Sequence, residues 1–298
     1  MTAPTPEKHQ VLIVDDEPDI HLVTRLCLKG LKVEGRGISL LSASSGREAL
    51  EILRENPQIA VVLLDVVMEH DSAGLDTCRA IRGEQQNRMV RILLRTGQPG
   101  AAPERETIDQ YDIDGYLPKA ELTSQRLYTA VRTGIKAWRE LVELDRHRRY
   151  LSEISTCVIG LRSFLTLPES LRLVLHAAHT LCPSPLTALH LETFNQKGEP
   201  LRHDLHLSDP VAAEAIRARV ARENPPGGRF AEGYLIPLQL HRELGHGWLY
   251  VAQPEPDELL RISLLLLAEH AKNALYSTVA EELLRAQKDQ PFFDEMAI

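Results

Sequence analysis

The stretch Ile59–Met68 reads I-A-V-V-L-L-D-V-V-M, and its reading decides the fold of the N-terminal half of the chain. A β-branched and leucine run of this length predicts a strand buried on both faces, as in a parallel sheet. It carries one acid, Asp65, towards its C-terminal end. Open α/β sheets place their ligands outside the carboxyl ends of such strands, so Asp65 is the first candidate functional residue.

Working outward from this strand, Val11–Val14 predicts an earlier one that ends on Asp15, Asp16 and Glu17. Pro18 and Asp19 then open a helix with Ile20, Val23, Cys27 and Leu31 at helical spacing. Ile38–Ala43 reads as the second strand, and Ser44 or Ser45 caps a helix that Pro57 stops. Beyond Asp65, a helix over Leu75–Arg82 closes at Gly83, and Val90–Arg95 is a strand ending on Thr96 and Gly97. The stretch 98–103 is turn-like, 104–110 is a short helix, Gly115–Pro118 is a brief fifth strand, and a helix starts near Glu121. Five strand–helix alternations predict a doubly wound (βα)5 parallel sheet over residues 9–122, after a flexible stretch over residues 1–8.

Asp15 with Asp16, Asp65, Thr96 and Lys119 all fall at strand ends, on one edge of such a sheet. Crowded carboxylates repel unless a hard cation joins them, and oxygen donors of this kind suit Mg²⁺. A carboxylate can attack phosphorus to give an acyl phosphate. The metal and an ammonium then neutralise charge on the transferring phosphoryl oxygens. Thr96 supplies a hydroxyl and Lys119 the point charge, and no general base is needed because a carboxylate is already ionised at neutral pH.

The phrases V-D-D-E at Val14–Glu17, L-L-D-V-V-M at Leu63–Met68, L-R-T-G at Leu94–Gly97 and G-Y-L-P-K at Gly115–Lys119 carry a resemblance. Residues 9–120 resemble a receiver domain of two-component response regulators, which implies the strand order 2-1-3-4-5. The resemblance makes Asp65 the phosphorylation site, Asp15 and Asp16 the acidic metal site, and the backbone carbonyl of Val67 a further metal contact. It makes Thr96 the switch hydroxyl, Tyr116 the aromatic that turns inward with it, and Lys119 the phosphate-binding lysine. It also implies a sensor histidine kinase or phosphotransfer protein as partner and Mg²⁺ as cofactor. Two positions depart from the pattern: Glu69 and Ala120 stand where receivers usually have proline. Haloacid-dehalogenase-like phosphatases also use a strand-end aspartate, but they need a second acid two residues on, where this chain has Val67.

Over residues 123–165 apolar positions fall mostly at three-four spacing, broken by the charged patch Asp145–Arg149. This predicts one long helix, or two nearly continuous ones, and a homodimer formed through it as a coiled coil. Residues 166–287 then read as a capped helix with a T-x-x-E box at Thr166–Glu169, two alternating strands, a helix over Pro210–Ala221, a hairpin around 241–244 and a long last helix, with a tail over 288–298. The segment G-W-L-Y-V-A-Q-P and the helix after it resemble the end of a GAF-like domain, of the kind found in cyclic-di-GMP-related regulators. No G-G-D-E-F, and no H-D joined by a G-Y-P, is present. The expected output is therefore protein–protein contact rather than catalysis, beyond phosphotransfer to Asp65 and its reversal. A ligand-sensing module modulated by the receiver, and a constitutive dimeric scaffold, are the alternatives.

The net charge of −8, most of it before Leu122, argues against a nucleic-acid surface. The four cysteines lie far apart without a C-x-x-C, which fits a reducing, cytoplasmic setting. The N-terminus lacks the apolar core of a signal peptide, and the run Leu264–Ala268 is far too short for a membrane span. His176 with His179, and His203 with His206 and His190, are weighed as metal or haem ligands and assigned to surface or core instead, since spacing three on a strand splits a pair between two faces.

Overall fold

A computed structural model describes residues 8–97, 110–119, 123–163, 166–241 and 244–288. The predicted turn over 98–103, nearly all of the predicted helix 104–110, Ala120, the helix start near Glu121 and the tail beyond 288 lie outside the described residues. The chain divides into two compact units on either side of Asp145.

The N-terminal unit is built on a parallel sheet. Its elements are β1 (His9–Val14), α1 (Pro18–Cys27), β2 (Lys32–Val33), β3 (Arg36–Ala43), α2 (Gly46–Glu55), β4 (Ile59–Asp65), α3 (Ala73–Arg79), β5 (Arg91–Thr96) and β6 (Gly115–Pro118). A long helix, α4 (Ser124–Leu161), follows, and its first part belongs to this unit. The sheet order is β2-β3-β1-β4-β5-β6, and every neighbour is parallel except the β2–β3 pair. All seven residues of β4 are buried, as its unbroken apolar run requires. Period-two alternation splits the core in two. Leu12, Val14, Val62, Leu64, Ile92 and Leu94 face the α2–α3 side, whereas Val11, Ile13, Val61, Leu63 and Leu93 pack with Leu28, Leu127, Val131 and Trp138 on the other.

Three local features differ from the sequence reading. The two-residue strand β2 was not expected; it pairs antiparallel with β3 through Glu34 and Gly35, both at positive φ. The third helix stops at Arg79 and runs on as a π-helical turn over Ala80–Glu84. In α1, Val23 is 53% exposed, and Thr24 takes the inward place together with Leu28 and Leu31. The inner stripe runs through Ile20, Thr24, Cys27 and Leu28, a helical spacing as regular as the expected one.

The C-terminal unit takes the rest of α4, then α5 (Leu167–Leu181), β7 (Leu186–Phe194), β8 (Pro200–Ser208), α6 (Pro210–Glu223), β9 (Gly228–Phe230), β10 (Gly233–Gln239), β11 (Gly245–Val251) and α7 (Glu258–Lys288). The charged patch Asp145–Arg149 does not interrupt α4, which is a single 38-residue helix. The Thr166–Glu169 capping box forms as the sequence requires. The sheet is antiparallel, ordered β8-β7-β11-β10-β9. One face presents Leu189, Leu191, Ile236, Leu238, Leu249 and Val251 to α5, α7 and the end of α4. The other presents Ala188, Leu235, Trp248 and Tyr250 to α6. The three-residue strand β9 was also unexpected. Among the described residues, no helix is long and apolar enough to cross a membrane.

Candidate functional site

At the carboxyl edge of the parallel sheet, β1, β4, β5 and β6 deliver their last residues to one place. Asp15 follows β1 and is fully buried, Asp65 ends β4 at 3% exposure, and Asp16 is exposed. One carboxylate oxygen from each of these three residues lies within 4.8 Å of the others. Three hard oxygen donors this close fit a Mg²⁺ ion, which prefers carboxylates, carbonyls and water. Val67 lies two residues beyond Asp65, just past the strand.

Lys119 Nζ, following β6, donates to Asp65 Oδ2 at 2.9 Å. The same ammonium is 3.5 Å from Asp15 Oδ2 and 3.7 Å from Glu17 Oε1. Burial pushes the Asp65 carboxyl above the usual carboxylate range; Lys119 opposes the shift and the Asp15 charge adds to it. For Lys119, burial works against the charged form, but the hydrogen bond and charge of Asp65, with Asp15, outweigh it and raise its pKa. Thr96 is buried at the end of β5, and Tyr116 on β6 is buried among the apolar side chains of the α2–α3 face.

The backbone beneath Asp65 is tightly held. Gly74 N, in the first turn of α3, donates to the Val66 carbonyl at 2.9 Å. A Cβ at Gly74 would stand 2.0 Å from the Asp65 carbonyl oxygen, so only glycine permits this approach of helix to strand. Glu69, one of the two departures from the usual pattern, accepts from Gly46 N at 3.0 Å and so binds the loop after β4 to the first turn of α2. On the β1 side, His21 Nε2 donates to the Asp15 carbonyl at 2.7 Å, since a carbonyl oxygen can only accept. Its Nδ1 is 3.1 Å from Ser42 Oγ, which itself accepts from Arg25 Nη2 at 2.8 Å.

The residue that sequence reasoning missed is Arg95. It lies on β5 in register with Asp65, and its side chain is 2% exposed. Nη2 donates to Asp15 Oδ2 at 3.0 Å, and Nη1 to Thr24 Oγ1 on α1 at 3.0 Å. Burial lowers its pKa from the ordinary arginine value, with Asp15 and Asp65 pulling the other way. The signal was present in the sequence: the second arginine of the strand R-I-L-L-R-T, in its buried part, must find an anion, and the strand-end acids are the nearest.

The histidines weighed as ligands do not gather. Among the described residues the acidic trio is the one group of three or more metal-ligating side chains that converges. His190 instead pairs with Asp204 at 2.6 Å and stacks on Trp248, while His179 bonds Thr187. Cys157 and Cys182 are buried, as expected of small apolar residues.

Residues 11–132 match the family model of the response regulator receiver domain. A curated relative, the 3'3'-cGAMP-specific phosphodiesterase 2 of Vibrio cholerae serotype O1, is 46% identical over 144 residues, covering 48% of this chain and 28% of that protein. The chain therefore matches less than a third of that relative's length. Among solved structures, a response regulator receiver domain protein from Clostridium thermocellum aligns with a TM-score of 0.38 and 26% identity, over 45% of this chain and 98% of that one. The signal receiver domain of an HD domain-containing protein from Pseudomonas fluorescens Pf-5 aligns at 0.41 and 22%, over 48% and 97%. The N-terminal part of this chain is a response regulator receiver domain.

Proposed function

We propose that the protein is a phosphorylation-dependent response regulator of a two-component phosphorelay, with Asp65 as its phosphoacceptor. The observation that carries this reading is the contact of Lys119 Nζ with Asp65 Oδ2 at 2.9 Å, beside three carboxylates that approach within 4.8 Å of one another. Asp15, Asp16, Asp65 and the Val67 carbonyl would hold Mg²⁺, which supplies charge neutralisation at the phosphoryl oxygens. An Asp65 carboxylate oxygen attacks the phosphorus of a phosphohistidine on a sensor kinase or phosphotransfer protein. The O–P bond forms as the P–N bond breaks, and the freed imidazole takes a proton. Lys119 follows the new phosphoryl group, Thr96 donates to it, and Tyr116 holds the inward position that goes with that bond. The phosphoryl group adds a charge of about −1.5 to −2, which is the driving force for this rearrangement.

The test is labelling with acetyl phosphate and Mg²⁺. Wild type should form a hydroxylamine-sensitive aspartyl phosphate, and Asp65→Ala should not. No adduct on wild type, or undiminished labelling of the variant, overturns the reading.

The C-terminal unit is read as a GAF-like output module acting through protein contact, with α4 carrying the signal to it from the receiver. A ligand-sensing role is favoured by one observation: a cavity of about 440 Å³ on the α6 face of its sheet, bordered by His190, Glu192, Trp248 and Arg217. That volume is within the range of small-molecule sites. The relative's activity on a cyclic dinucleotide makes this class the first to try. Thermal shift over a panel of cyclic dinucleotides and mononucleotides tests it, and no shift with any of them, together with no bound molecule in native mass spectra, counts against it.

A further inference from the structure

The acidic site contains its own cation. Arg95 and Lys119 both contact Asp15 Oδ2, at 3.0 and 3.5 Å, and Lys119 also contacts Asp65. Arg95 differs from Lys119 in position. Lys119 is at the rim and a quarter exposed, whereas Arg95 is 2% exposed and enters from beneath α1. It shares the parity of Leu93, which faces the α1 side of the sheet, so strand alternation points it there. Thr24 Oγ1 fixes one end of the guanidinium and Asp15 the other, while Nε is buried without a hydrogen-bond partner among the described residues. A buried arginine tolerates an orphaned donor only if another contact compensates, and among the described residues its ion-pair partner is Asp15.

We propose that Arg95 is a positioning residue that serves as the internal counter-ion of the phosphoacceptor site. It holds Asp15 in its ligating place when no divalent cation is present. It thereby lets the N-terminal unit fold independently of metal, and it weakens cation binding by occupying part of the negative charge. The first consequence follows because Arg95 is the nearer of two cations at this fully buried carboxylate. Without it, Lys119 at 3.5 Å and the Glu17 N–H at 3.0 Å leave the charge under-compensated, which is destabilising. The second rests on the cation-site reading above: a fixed positive charge in contact with a ligating carboxylate opposes a second cation at the same carboxylate.

The experiment uses the full chain with Trp248→Phe, so that Trp138, packed in the N-terminal core, is the sole tryptophan reporting its unfolding. Wild type, Arg95→Met, Asp15→Asn and the double variant are melted in chelator and across a Mg²⁺ titration. In chelator, Arg95→Met should melt about 10 °C lower than wild type. The double variant should regain most of that loss, because the stranded charge has gone. Mg²⁺ should restore Arg95→Met, with half-saturation at about tenfold lower concentration than for wild type. If the double variant is as unstable as Arg95→Met, Arg95 acts through packing or Thr24 alone and the proposal falls. Weaker Mg²⁺ binding by Arg95→Met overturns the competition with metal. Absence of any Mg²⁺ response in all four proteins, with the Arg95–Asp15 coupling intact in chelator, overturns the cation-site reading and with it that second consequence. Recovery in the double variant decides the first consequence even where Arg95→Met alone does not fold.

Discussion

Asp65 is a carboxylate held where ionisation is costly. Burial raises its pKa in the folded state, so the folded protein binds this proton more readily than the unfolded chain does. The sign follows: the contribution of Asp65 to stability is intact below its unfolded pKa and is lost as pH rises through the folded value. In chelator at pH 7, Asp65→Asn should therefore melt a few degrees above wild type, and the gap should close below about pH 4. Added Mg²⁺ should reverse the order, since the asparagine removes one of the carboxylates. Melting curves at pH 4, 5.5 and 7 with and without Mg²⁺ check this; a variant less stable than wild type at pH 7 in chelator contradicts it. At this scale the strand-end residues were legible because strand ends converge whatever the intervening sequence does, and Asp15, Asp16 and Asp65 indeed meet. Arg95 was not, because its partners are 71 and 80 residues away and only tertiary packing brings them to it. The same contact explains Thr24, a polar residue on the inner face of α1 where hydrophobic spacing pointed to Val23.

At the scale of elements, the join between β4 and α3 sets the geometry of the site. Gly74→Ala places a methyl 2.0 Å from the Asp65 carbonyl, against backbone rather than a movable side chain. It should destabilise the N-terminal unit by about 3 kcal/mol and slow acetyl-phosphate labelling sharply, through overpacking that pushes α3 off the strand end. Chemical denaturation and labelling time courses read both effects, and a variant with wild-type values in each would show that the helix gives way freely. The buried elements also protect their thiols. Burial pushes Cys78 and Cys157 up to about 12 and Cys182 to about 11, whereas Cys27 is half-buried on α1. A thiol reagent at pH 8 should modify Cys27 first and the other three only as fast as their units open. Peptide mapping after a timed pulse identifies the order. Long elements were readable from periodicity, and β4, α5 and β7 keep close to the expected bounds. Strands β2 and β9 escaped because two or three residues carry no period, and the π-helical turn escaped because a single inserted residue leaves the apolar spacing of α3 almost unchanged.

At the scale of the molecule, the C-terminal unit leaves apolar side chains in water. On α7, Ile262, Leu265 and Leu266 are 51%, 42% and 39% exposed at positions i, i+3 and i+4, one stripe of the helix. On α4, Leu151 and Ile159 are 58% and 69% exposed. The inner faces of both helices are already committed to the core of the unit through Ile154, Cys157, Leu264 and Leu267, and these outer residues lie outside that core. An exposed apolar stripe of this kind is a candidate interaction surface, and three-four apolar spacing on two faces of a helix is the pattern that pairing with a second copy would use. Ile159→Glu and Ile262→Glu each put a charge at an already exposed position, so the monomer should keep its melting temperature within a degree or two. In sedimentation equilibrium, wild type should dimerise at micromolar concentrations, and each variant should raise the dissociation constant at least about tenfold, the effect of roughly 1.4 kcal/mol. Beryllofluoride with Mg²⁺ adds the regulatory question: a dissociation constant that moves with the phosphate mimic in wild type, and not in Asp65→Ala, ties assembly to the phosphoacceptor site. A monomer at all concentrations, with or without the mimic, leaves a different protein as the occupant of this surface and removes self-association from the output of the switch.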